Sequence, residues 1–245
     1  MSSATANSDQ LQRSALRNTA IQTRMGFCLS RFPELSTSTV VDVGCGDGRH
    51  LSHFGPGSIG MDGRRLEDAD GYRYLQWDFD HDASAVLAGS GVGKQKFVWC
   101  SDVFEHHPAP HMFLLDLRRC LQPDGVLFLG VPLVNPIGSI PWFRKSWLLN
   151  FFRGFMSQDH INFFSFRGIC LTAEFAGFEV LDWYSPFLPI KRPPMVGLEP
   201  ITTLILRNKA EYQYGPKAYK YIDENGYLRW KTLTEYTTRE VPVTR

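Results

Sequence analysis

A chain of 245 residues has room for one α/β domain with additions, or at most two small domains. Hydrophobic residues make up 43% and charged residues 21%, with a formal net charge of +1, an ordinary balance for a globular protein that speaks against a surface built on nucleic-acid phosphates. The five cysteines (Cys28, Cys45, Cys100, Cys120, Cys170) are odd in number, scattered and without a Cys-x-x-Cys pair, and three of them fall in or beside apolar runs and read as small core residues in a reducing compartment. Met1 to Gln10 lacks an apolar signal region and no later stretch is long enough for a membrane span, which makes the cytoplasm the expected location.

A helix is expected over 9–32, capped by Ser8 or Asp9. Ile21, Met25, Cys28, Leu29 and Phe32 recur at helical spacing, and Pro33 ends the pattern. Thr39 to Val43 is a short β-branched apolar run, as suits a parallel strand buried on both faces. It breaks into Gly44, Gly46 and Gly48. Glycine permits positive φ and close approach of a ligand to the backbone, and amides at the start of a following helix would point at that ligand. Asp42 sits inside the strand end. Its carboxylate would repel a pyrophosphate but suit a ligand carrying an ammonium group. Ser58 to Asp62 reads as a second strand ending in a carboxylate 20 residues after Asp42, a distance that suits acceptance of ribose hydroxyls. The glycine spacing is G-x-G-x-G, not the G-x-G-x-x-G of dinucleotide folds, which disfavours a nicotinamide dehydrogenase.

Asp-Val-Gly-Cys-Gly-Asp-Gly followed by Gly-Met-Asp resembles the cofactor site of class I S-adenosylmethionine-dependent methyltransferases. The resemblance covers roughly residues 40–207. It implies a doubly wound, Rossmann-like α/β sheet of seven strands with the last antiparallel and helices on both faces. On that reading Asp42, Gly44, Cys45, Gly46, Asp62 and Gly63 belong to the cofactor site.

The first part of the run from Tyr72 to Asp80 reads as a third strand. An acid just past this strand in the resembling family bonds the adenine amino group, with an apolar neighbour on the ring. Asp78 and Phe79 match, and Asp80 is an alternative. Asp80 or Asp82 can instead cap a short helix around 83–87. Lys96 to Cys100 is a fourth strand. The loop after it, Ser101-Asp102-Val103-Phe104-Glu105-His106, resembles the Asp-Val-x-Glu-His loop of small-molecule methyltransferases. The resemblance places Ser101, Asp102 and Val103 against the cofactor and His106 near its methionine end; Glu105 can simply anchor the loop. His106, His107 and His111 invite a metal reading, but His107 and His111 read as a helix start, and no metal is expected. A helix over 111–121 and a fifth strand over 126–131 follow, separated by a Pro-Asp-Gly turn.

Residues 132–164 form an expected lid-like insertion. Its stretch 142–156 is apolar nearly all round and reads as a pocket wall, or alternatively as a membrane-surface contact. Asp159-His160-Ile161-Asn162-Phe163-Phe164 closes it. A similar His-x-x-aromatic-Phe run in related methyltransferases lies near the active-site mouth, where it can also fix the lid. Helix 169–176 and strands 178–184 and 201–207 complete the expected core. The extension 211–245 includes an expected hairpin around 223–226.

The whole is expected to be one domain that moves a methyl group from S-adenosylmethionine to a small organic acceptor, a hydroxyl oxygen of a sugar, phenol or lipid-like quinol. His160, Asp159 and His106, in that order, are the candidates for removing its proton. A protein or RNA methyltransferase and a catalytically silent cofactor-binding subunit are the rival readings.

Overall fold

The computed structural model describes residues 24–64, 71–133, 160–184 and 201–211, and the backbone of 218–222 and 228–232. Most of the lid-like insertion, Asp159 and the start of the first helix lie outside the described residues.

Helix α1, described over 24–31, precedes strand β1 (Val40–Val43). Then come β2 (Ile59–Asp62), β3 (Arg73–Gln76), helix α2 (Ala83–Gly89), β4 (Gln95–Ser101), α3 (Pro110–Cys120), β5 (Leu121–Pro132), α4 (Phe166–Phe175), β6 (Phe178–Tyr184) and β7 (Ile201–Asn208). The seven strands form one sheet in the order β3-β2-β1-β4-β5-β7-β6. The first five run parallel and β7 is antiparallel to both β5 and β6. This is the expected seven-stranded, doubly wound arrangement, in which parallel strands reached through crossovers are covered on both faces. Strands β8 (Ala218–Ile222) and β9 (Leu228–Thr232) pair antiparallel, with Ile222 opposite Leu228; the turn expected at 223–226 lies outside the described residues.

Alternation along the strands divides the core. Val41, Val43, Val98, Cys100, Leu127, Leu129, Leu204 and Leu206 pack on one side with Ala83 and Leu87 of α2, Phe113, Leu114 and Leu117 of α3, and Ile169 and Ala173 of α4. Val40, Phe97, Trp99, Val126, Phe128 and Ile205 face the other side, against Met25 and Cys28 of α1 and against Leu51 and Phe54. A side-chain period of two puts successive residues of each strand into different clusters.

Two local expectations are corrected. No α-helix follows the glycine turn; residues 44–50 are turns and irregular backbone, then a single 3-10 turn, Leu51–His53, leads to β2. Only six residues separate Gly48 from Gly55-Pro56-Gly57, too few for a helix before that breaker. The cap of α2 is also not what the local sequence suggests. Asp82 makes no side-chain cap bond. Asp116 of α3 reaches across instead and accepts from the Ala83 amide at 2.5 Å, the Ser84 amide at 3.2 Å and the Ser84 hydroxyl.

Candidate functional site

The carboxyl ends of β1, β2 and β4 open on a cavity of about 600 Å³. Brackets of positive φ at Gly44 (76°), Gly46 (62°) and Gly48 (76°) carry the chain around its floor. The turn is tied to β2 through the Gly44 and Cys45 amides, which both donate to the Met61 carbonyl, at 2.7 and 3.1 Å. Gly44 tolerates no side chain, because an added Cβ would overlap Val103 Cγ2 from the β4 loop. The Val103 side chain therefore rests against bare backbone at Gly44.

Eleven of the twelve residues expected to bind the cofactor line this cavity: Gly44, Cys45, Gly46, Asp62, Gly63, Asp78, Phe79, Ser101, Asp102, Val103 and His106. Asp62 Oδ2 accepts from the Gly46 amide at 2.8 Å, and Oδ1 from the Arg64 amide at 3.1 Å. Asp78 is exposed and bound to His81 Nδ1 at 2.6 Å, which holds its carboxyl below the usual carboxylate range. Phe79 is edge-on to Trp77 and 37% exposed, leaving ring surface for a ligand.

Asp42 is the exception. It is 1% exposed and lies beneath the cavity floor, with His50 Nδ1 3.5 Å from its Oδ2. Burial pushes its carboxyl up, and the hydrogen bond and charge of His50 act the other way. His50 lines the cavity and Asp42 does not. A residue pointing one way at the end of a buried strand cannot be assigned to cavity or core from spacing alone.

Arg24 escaped the sequence reading. It is 4% exposed on α1, donates to the Ser101 hydroxyl and pairs with Asp102 Oδ2 at 3.3 Å. It thereby ties the first helix to the β4 loop, where Asp102 holds a positive φ of 58°. A buried cation with these partners is satisfied, which a burial pattern of apolar residues does not reveal.

Two distant segments meet beside His106, which lines the cavity. Phe104–His106 is a 3-10 turn after β4. Its Glu105 carbonyl accepts from the amides of Ile161 (3.2 Å) and Asn162 (3.0 Å), and the Asn162 side chain donates to the His107 carbonyl at 2.7 Å. These bonds lay the segment beginning at His160 along the loop. Glu105, 1% exposed, turns its carboxylate between the two histidines, with Oε1 3.8 Å from His106 Nε2 and 3.6 Å from His160 Nε2. The rings meet edge to face with centroids 4.8 Å apart. Burial, reinforced by the charge of Asp102, pushes the Glu105 carboxyl up to about 8. His107 belongs to the start of α3, where it stacks on Phe113 and accepts from the Ala109 amide at 3.0 Å.

The donor set fits an adenosyl cofactor: a carboxylate at the end of β2, a second acid and an aromatic face after β3, and a glycine turn that exposes bare backbone. Among the described residues, no helix is long and apolar enough to cross a membrane.

Comparison with known proteins bears on this geometry. A family model described as a methyltransferase domain matches residues 15–182. The chain is 25% identical over 162 residues to the C-methyltransferase NovU of Streptomyces niveus, covering 63% of this chain and 36% of that protein. It thus spans about a third of the length of that curated relative. The fold is shared with the YcgJ protein of Bacillus subtilis, with a TM-score of 0.54 and 12% identity over 78% of this chain and 100% of that one. It is also shared with magnesium protoporphyrin IX methyltransferase of Synechocystis, crystallised with S-adenosylhomocysteine, with a TM-score of 0.51 and 15% identity over 80% and 85% of the two chains. With the family match spanning more than half of its length and the sheet order of the fold in place, the chain belongs to the methyltransferase-domain family, class I and S-adenosylmethionine-dependent.

Proposed function

We propose that the protein moves the methyl group of S-adenosylmethionine to a small organic acceptor, at a hydroxyl oxygen of a sugar, phenol or lipid-like quinol. The observation that carries this reading is one cavity with a ribose-type carboxylate, Asp62, on its floor and the imidazole of His106 at its mouth. The bound cofactor supplies a methyl already activated by sulfonium charge; what remains for the protein is alignment and proton handling.

Asp62 accepts the ribose hydroxyls, Asp78 the adenine amino group, and Phe79 covers the ring. Gly44, Cys45, Gly46 and Gly63 give backbone access. Asp42 acts through its field from beneath the loop, with His50 above it. Ser101, Asp102 and Val103 flank the methionine end, held there by Arg24. His160 and His106, with Glu105 between them, handle the acceptor's proton; Asp159 adjoins His160 in sequence and is the third member of this catalytic set. The acceptor is a small molecule and no nucleic acid takes part.

The relative from Streptomyces niveus is named a C-methyltransferase, which supports a second reading in which an acidified carbon is the nucleophile. Incubation with labelled cofactor and fractionated metabolite extract tests both. Label recovered on an oxygen of a small molecule supports the first reading, label on carbon the second, and label only on protein or RNA refutes both.

A further inference from the structure

Glu105, His106 and His160 each offer one ligand atom, and the three atoms all lie within 4.8 Å of one another. We propose that these residues bind one divalent transition-metal cation, of the zinc or manganese class, at the acceptor end of the cavity.

The donor set argues for that class. Two imidazole nitrogens and one carboxylate oxygen suit zinc, manganese or iron(II), whereas magnesium and calcium favour oxygen ligands. Tetrahedral bonds of about 2.1 Å place donor atoms about 3.4 Å apart. The observed 3.6 and 3.8 Å from Glu105 to the two Nε2 atoms close to that value by small side-chain rotations. Glu105 supplies the second, independent observation. Its side chain is 1% exposed, and its Oε2 makes no hydrogen bond among the described residues. A buried carboxylate is costly unless paired, and a cation between it and two imidazoles supplies the pairing. The backbone holds both halves of the site in place, since the Glu105 carbonyl accepts from Ile161 and Asn162.

Three protein ligands leave a coordination position open, as in catalytic zinc sites. With a cation bound, Glu105, His106 and His160 would act on the acceptor's proton through it rather than by taking it. An acceptor hydroxyl bound there would lose its proton to solvent water more readily, and its oxygen would then form the new bond to carbon. The carbon–sulfur bond breaks and its electron pair stays on sulfur. This role rests on the methyltransferase reading; binding of the cation does not.

The test titrates the full chain with Co²⁺ alone, followed by visible absorption, and with Zn²⁺ alone by calorimetry. The same samples are then titrated with S-adenosylhomocysteine, which also reports folding. About one ion per chain is expected. His160→Ala and Glu105→Gln should each weaken binding by more than the roughly 10- to 100-fold typical of losing an outer-shell partner. His53→Ala should bind like wild type. No saturable binding by the wild type overturns the site, as does binding undiminished in folded His160→Ala and His106→Ala. Cation binding at these residues without S-adenosylhomocysteine binding upholds the site and refutes the proposed function; the converse result refutes the site alone.

Discussion

The Gly46 amide donates to the Asp62 carboxylate at 2.8 Å, so the glycine turn after β1 and the acid that ends β2 form one rigid unit. The same carboxylate that is proposed to accept ribose hydroxyls also sets the curvature of the loop beneath them.

Replacing Asp62 with alanine therefore removes charge-assisted hydrogen bonds worth roughly 1.5–3 kcal/mol to the bound cofactor. Affinity for S-adenosylhomocysteine should fall on the order of 10- to 150-fold by calorimetry. Asn at this position keeps one acceptor oxygen and should lose less. An unchanged dissociation constant in Asp62→Ala would place the ribose elsewhere.

His160→Ala should lower turnover by about 10²- to 10⁴-fold, the usual contribution of a group that handles a proton in the transition state. Affinity for S-adenosylhomocysteine should stay near the wild-type value, because His160 is not among the residues that line the cavity. A variant that keeps its turnover on the identified acceptor would remove His160 from the catalytic set.

Asp116 caps α2 from a different helix, through the amides of Ala83 and Ser84. Truncation to alanine leaves those donors unpaired beside a largely apolar core, at a cost of about 1–3 kcal/mol. Denaturant unfolding should show a lower midpoint with an unchanged slope. Asp82→Ala, which removes no cap bond, should have little effect.

The cysteine thiols are held protonated by burial, Cys28 up to about 12 and Cys170 up to about 11. The thiolate is the reactive form, so the folded protein should resist iodoacetamide at pH 8, and unfolding should release the reactivity. Raised folded-state values mean that the neutral thiols favour the folded state. That contribution is complete below the unfolded value near 9 and is lost as pH rises toward 11–12. Alkylation of Cys28 in the folded chain at pH 8, at the rate seen in denaturant, would contradict this burial.

The sheet was legible because its signals are local. A β-branched run, a glycine turn and a terminal acid each occupy a few consecutive residues, and alternation assigns Val40 and Val41 to opposite faces without further information. What escaped was set by contacts between distant segments. Asp42 carries the expected residue type at the expected spacing, but its pairing with His50 is set by the fold. Arg24 looks like one more polar residue of a helix, and only the fold brings it to Ser101 and Asp102. In the Glu105 cluster, His160 and His106 were legible as candidates for one task, but the place of Glu105 between them was not. His106, His107 and His111 are neighbours in sequence, but the partner that reaches Glu105 and His106 is His160, delivered by two backbone bonds to the Glu105 carbonyl.

The central claim is that the cavity at the ends of β1, β2 and β4 holds an adenosyl cofactor with an amino-acid tail, and calorimetric titration of the full chain tests it most directly. The account predicts saturable binding of S-adenosylhomocysteine, weakened by Asp62→Ala, and no binding of NADH. Saturable NADH binding with none of S-adenosylhomocysteine would contradict it.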